Sequence, residues 1–129
     1  MVKVFVDTDI LIDFTYKKNK ILYKLIVEQK AGKAELFINP VVCAEFLTDR
    51  KLLDTQKLEE ACGFLDSFHM IEITAKIGFL AGQLLREQKI PLLSDTLIAA
   101  TCLVHDFSLA TRNIKHFEKV PELSIYSTV

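Results

Sequence analysis

Several features are missing from this sequence, and each absence narrows the reading. No apolar run reaches the roughly 18 residues of a membrane-spanning helix. The opening MVKVFVDTD has one lysine before a charged segment, which is not the pattern of a secretory signal. Both absences point to a cytoplasmic protein. The three cysteines, Cys43, Cys62 and Cys102, form no CxxC pair and are odd in number, so reduced, mostly buried thiols are expected. His69, His105 and His116 show no zinc-type spacing either. There is no basic excess: 16 Lys and Arg face 17 Asp and Glu, a net charge of −1. Any polyanion contact must then come from a local patch. The best candidate is YKKNK, Tyr16 to Lys20, with Lys17 and Lys18 as substrate-contacting residues; plain solvated charge is the alternative. Repeats, low-complexity tracts and Gly/Ser-rich linkers are absent, so residues 1–129 read as one domain.

What is present is a core. Half the residues are apolar and the mean hydropathy is +0.27, which argues against disorder. Strands are expected at Val2–Val6, Glu35–Asn39, Met70–Thr74, Ser108–Thr111 and Leu123–Ser127. Helices are expected at Ile10–Tyr16, Ile21–Lys30, Pro40 to about Lys51, Thr55–Phe68, Ala75–Gln88 and Asp95–His105. Asn39-Pro40 supplies an N-cap followed by proline at the first helical position; Thr74 and Ser94 read as further caps. Alternating strands and helices favour an α/β fold with a mainly parallel central sheet. In such sheets, ligand sites collect beyond the carboxyl ends of the strands. Asp7 sits at one of those ends.

Two further carboxylates stand in apolar company. In PVVCAEFLTDR, at about 100° per residue, Glu45 falls between Val41 and Val42 on the helical wheel. An unpaired buried charge is costly, so a cation must offset it, unless the side chain reaches solvent or a salt bridge. Asp95 opens SDTLIAATCLV, a helix apolar on nearly every side. Alone it reads as an acid favoured by the helix dipole. Taken together, Asp7, Glu45 and Asp95 come from three distant segments and can meet at one end of a parallel sheet. Oxygen ligands of this kind suit Mg²⁺ or Mn²⁺.

Three segments carry a resemblance: VFVDTDILIDF, NPVVCAEFL and SDTLIAATCLVHDFSLATRNIKHFEKVPELSI. In order and spacing they resemble the PIN-domain family, and within it the small VapC-type ribonucleases of bacteria and archaea. The resemblance spans essentially the whole chain. It implies a three-layer α/β/α domain and Mg²⁺- or Mn²⁺-dependent hydrolysis of RNA phosphodiester bonds. It maps the family's metal ligands, which are its catalytic residues, to Asp7, Glu45 and Asp95. It also implies a cognate antitoxin partner and a homodimer. Asn113 stands where the family often has a fourth acid, leaving the site one charge poorer. His116, where many members have Asp, reads as a surface or loop residue. Thr8, Ser94 and Thr111 are candidates for orienting ligands or waters, with plain cap or turn roles as the alternative. Arg112 either touches substrate phosphate or is simply exposed.

Rival readings are weaker. VFVDTDILI also satisfies the D-x-D opening of haloacid-dehalogenase-type phosphatases, but the later lysine and acidic loop do not follow. A receiver domain needs an Asp where ELFIN has Asn39, and a Lys where SLAT is followed by Arg112. The serious rival is a catalytically weakened PIN-like domain that binds RNA or protein. Within FVDTDILID, Asp7 reads as the ligand. Asp9 reads as acting through water, as an outer helper that partly compensates for Asn113, or as playing no part at all, and Asp13 as a structural or groove-edge residue.

Overall fold

The computed structural model describes residues 1–126. Its sheet is parallel throughout. Strand β1 (Val2–Val6) pairs with β2 (Ala34–Ile38) on one side and β4 (Ser108–Ala110) on the other, and β3 (His69–Met70) adds beside β2. The order is β3-β2-β1-β4. Val4, Phe5, Val6, Leu36, Ile38 and Leu109 are fully buried. Such continuous apolar strands mark a sheet flanked by helices on both faces. A side chain the size of Phe5 contributes about 2–3 kcal/mol by leaving water.

The helices are α1 (Thr8–Thr15), α2 (Ile21–Lys30), α3 (Pro40–Phe46), α4 (Thr55–Leu65), α5 (Ala75–Arg86) and α6 (Leu93–His105). Helix α1 packs on α2 and α3, α2 lies on β2, and α5 runs along α6. Strand β1 lies between β2, which follows it on one side, and β4, which the chain reaches on the other side only after β3. Its carboxyl end is therefore a topological switch point, where a crevice opens in parallel α/β sheets.

Several elements differ from expectation, each for a local reason. Helix α1 starts at Thr8 rather than Ile10 because the Asp7 side chain caps it. Helix α3 stops at Phe46, well short of Lys51. There the Thr48 hydroxyl donates back to the Glu45 carbonyl at 2.8 Å, and Asp49 caps a separate 3-10 turn, Arg50–Leu53. Helix α6 begins at Leu93, so Ser94 lies inside its first turn and does not cap it. The third strand pairs only at His69–Met70; Ile71 donates once more to Ile38, and Thr74 then caps α5 as expected. The last strand reduces to one parallel bridge between Leu109 and Ile125, and Ser127 lies outside the described residues. Of the cysteines, Cys102 is buried, Cys43 half-buried and Cys62 exposed, against the expectation of mostly buried thiols.

Candidate metal-binding active site

Asp7 belongs to the sheet and to a helix at once. Its backbone N–H donates to the Ala110 carbonyl at 3.0 Å, which extends the β1–β4 ladder. Its side chain then caps α1: Oδ1 accepts the Thr8 N–H at 2.7 Å. Oδ2 accepts the Thr111 hydroxyl at 2.7 Å, and that hydroxyl in turn accepts the Asn113 N–H at 3.0 Å. The residue is only 5% exposed. Burial is the main reason its carboxyl is pushed up to about 7, and the neighbouring charge of Asp9 adds to it. The Thr111 and Thr8 hydrogen bonds pull the other way without cancelling the rise.

Glu45 reaches the same place through Asn39. That side chain is fully buried and caps α3 by accepting the Val42 N–H at 3.1 Å. Its amide donates to the Thr101 hydroxyl on α6 at 3.0 Å, and Thr101 donates to the Leu97 carbonyl. One amide thus fixes the start of α3 against the middle of α6. Glu45, half-buried, neither leaves for solvent nor finds a lysine or arginine. Its Oε1 accepts the Thr8 hydroxyl at 2.7 Å. Asp95, in the first turn of α6, lies with Oδ2 3.1 Å from His116 Nδ1.

An open cleft of about 450 Å³ lies at this edge, lined by Asp7, Thr8, Asp9, Glu45, Asp95 and Asn113, among others. The fold therefore brings the three sequence-derived acids to one opening, together with Asp9 and the amide that replaces a fourth acid. Among the described residues, however, no three carboxylate, thiolate or imidazole groups converge into a ready-made chelate. The shared cleft and the missing chelate are compatible. Asp7, Glu45 and Asp95 share the opening, but each is turned to a protein partner: Asp7 to Thr8 and Thr111, Glu45 to Thr8, Asp95 to His116.

The donor set fits a hard divalent cation. The cleft holds four carboxylates and no lysine or arginine among its lining residues. One oxygen, Asp9 Oδ1, is buried without any hydrogen-bond partner. Oxygen donors in that number suit Mg²⁺ or Mn²⁺ rather than a softer metal.

Other sequence-derived candidates go elsewhere. Lys17 lines a separate groove with Phe14, Tyr23 and Phe64. The Lys18 ammonium lies 5.9 Å from the centre of the Tyr16 ring. Ser94 is absent from the cleft lining. Arg112 is exposed, at 54%, and is paired with a buried acid: its Nε is 2.6 Å from Asp13 Oδ2. Two residues have larger parts than the sequence suggested. His116 contacts a proposed ligand, and Asp13 is buried at 4% exposure with both Arg112 and Asn19 as partners. A signal for Asp13 existed, since it follows the buried Ile10 and Leu11 on α1. No comparable local signal marks the pairing of His116 with a residue in another helix.

The PIN domain family model matches residues 4–123. Ribonuclease VapC1 of Methanocaldococcus jannaschii is 28% identical over 128 residues, covering 95% of this chain and 85% of that protein. A chain of the VapBC2 structure from Rickettsia felis, bound to a promoter DNA fragment, superposes with a TM-score of 0.73 at 25% identity, over 97% of this chain and 98% of that one. The DNA-bound VapBC of Salmonella typhimurium gives a TM-score of 0.79 over 100% of both chains; at 18% identity this is a likeness of fold alone. With the model matched over nearly its whole length, and the acidic cleft at the switch point of a parallel sheet, the chain belongs to the PIN domain family.

Proposed function

We propose that this chain is a divalent-metal-dependent endoribonuclease that hydrolyses RNA phosphodiester bonds, and that it is the toxin of a toxin–antitoxin pair. One observation carries the chemistry. Asp7, Glu45 and Asp95, from three distant segments, open onto one cleft whose lining holds no cationic side chain. Asp7, Glu45 and Asp95 would hold Mg²⁺ or Mn²⁺. A bound ion of this kind supplies water activation and offsets charge building on the phosphoryl oxygens.

The chain's own groups do the positioning. Thr111 and the Thr8 amide fix both oxygens of Asp7, and Thr8 through its hydroxyl also fixes Glu45. One threonine thereby sets the spacing of two ligands, as outer partners of metal ligands commonly do. His116 holds one oxygen of Asp95. Each of these contacts uses one oxygen of its carboxylate, so Glu45 and Asp95 would keep a further oxygen for Mg²⁺ or Mn²⁺. The cleft is open rather than enclosed, at about 450 Å³.

The toxin reading is supported by the relative's name, ribonuclease, and by neighbours solved as toxin–antitoxin complexes. An antitoxin partner covering the acidic cleft, and a homodimer, follow from the family reading. The test is cleavage of RNA by wild type and Asp7→Asn, each with Mg²⁺, with Mn²⁺ and with chelator. Divalent-dependent cleavage lost in Asp7→Asn is expected. Equal activity in both proteins, with the fold intact, sinks the nuclease assignment. Asn113 in place of an acid favours a second reading, a weakened enzyme acting as a binding module; RNA retention without cleavage by wild type is its signature.

A further inference from the structure

We propose that Asp9 is itself a metal ligand in this chain, turning its unpartnered carboxylate oxygen to the ion on binding and supplying the carboxylate that Asn113 lacks. The proposal rests on the metal-dependent reading above and adds a fourth anionic ligand to it.

The argument is an account of hydrogen-bond partners. Asp9 Oδ2 accepts the Arg112 N–H at 3.0 Å. The Thr111 hydroxyl stands 3.4 Å from that same oxygen but 2.7 Å from Asp7 Oδ2. A hydroxyl has one proton to donate, and the shorter contact takes it. Oδ1 is buried and has no partner at all. The next amide along, Ile10 N–H, donates to the Asp7 carbonyl at 3.1 Å. The Arg112 guanidinium is turned to Asp13 through Nε. Buried carboxylate oxygens are rarely left this way, because each carries a desolvation penalty with nothing against it. Asp9 lines the cleft with Asp7 and Asn113. If its purpose were only to pin the Arg112 turn, Oδ2 would suffice and a neutral amide would serve as well.

That last point supplies the test. Asp9→Asn keeps an oxygen for the Arg112 N–H and removes the anionic one. Metal-free wild type, Asp7→Asn, Asp9→Asn and Asp9→Asn/Asn113→Asp are titrated calorimetrically with Mn²⁺, with thermal melting to confirm folding. Asp9→Asn is expected to weaken Mn²⁺ binding about tenfold or more, and Asn113→Asp in the same chain to restore most of it. Asp9→Ser serves as the second variant should the amide fold poorly. Asp9→Asn binding Mn²⁺ within about twofold of wild type, while Asp7→Asn abolishes binding, overturns the proposal alone. Unchanged binding in Asp7→Asn overturns the metal reading beneath it.

Discussion

The two ends of helix α1 make the most instructive comparison in this molecule. Asp7, capping one end, and Asp13, near the other, are buried to the same degree, at 5% and 4% exposure. Their surroundings are opposite. Asp13 has a guanidinium, Arg112, and an amide, Asn19. Asp7 has a hydroxyl, a backbone amide and, instead of a cation, the carboxylates of Asp9 and Asp95 nearby. A buried acid that brings its own counter-ion fastens two segments together. A buried acid surrounded by other acids has its charge offset only by taking up a proton or an ion from outside. The three aspartates of FVDTDILID thus divide by their partners rather than by burial.

The largest expected effect comes from removing the charge at the uncompensated end. Asp7→Asn should lower RNA cleavage by about a thousandfold or more, equivalent to some 4 kcal/mol. The same change should stabilise the metal-free protein at alkaline pH. The sign follows from linkage. The Asp7 carboxyl is raised from 3.8 to about 7 on folding, so the native state holds its proton more tightly than the unfolded chain. The stability from this group is fully present below about pH 4 and is lost as pH rises through about 7, with a ceiling on the order of 4 kcal/mol. Urea unfolding of metal-free protein should show stability falling from pH 5 to pH 8. Asp7→Asn should flatten that dependence, and Mn²⁺ should restore stability at pH 8.

At the compensated end the prediction has the opposite sign. Arg112→Met leaves Asp13 without its cation and should cost about 1–2 kcal/mol of stability by denaturant unfolding, since the guanidinium is half exposed and the Asn19 amide remains. A loss under about 0.5 kcal/mol would mean that Asp13 does not depend on Arg112, and the contrast between the two ends would fail.

Asn39→Ala removes the cap of α3 and its tie to Thr101. The expected cost is about 1–2 kcal/mol. Because Glu45 sits on the freed helix, a rise in the Mn²⁺ dissociation constant should accompany it. The smallest effect is expected at His116. Its pair with Asp95 is half exposed on the histidine side, at 45%. His116→Ala should change stability by less than about 1 kcal/mol, with Mn²⁺ titration showing whether Asp95 still binds.

Much of this was legible from local pattern. Asn39-Pro40, Thr74 and the apolar runs of β1 and β2 announced themselves, because capping and side-chain periodicity act within a few residues. Asp7, Glu45 and Asp95 were legible as charges in apolar company. Strand lengths were not: Met70–Thr74 and Leu123–Ser127 have strand-like composition, yet an edge strand continues only as far as a neighbour offers backbone partners. Helix α3 ends earlier than its apolar pattern suggests because the Thr48 hydroxyl bonds back to the Glu45 carbonyl. Lys17 and Lys18 drew attention as charge, but the turn after α1 carries them away from the cleft.

The sequence by itself determined which segments are strands and helices, where most helices begin, and that Asp7, Glu45 and Asp95 are carboxylates in apolar company. Those properties depend on neighbours along the chain. The tertiary structure alone decided the order β3-β2-β1-β4, the convergence of three acids on one cleft, and the partner of each carboxylate. Arg112 and Asp13 lie on segments separated by nearly the whole chain, as do Thr111 and Asp7. No local periodicity encodes such a pairing; it exists only after β4 has docked beside β1 and brought the turn at Thr111 to the start of α1.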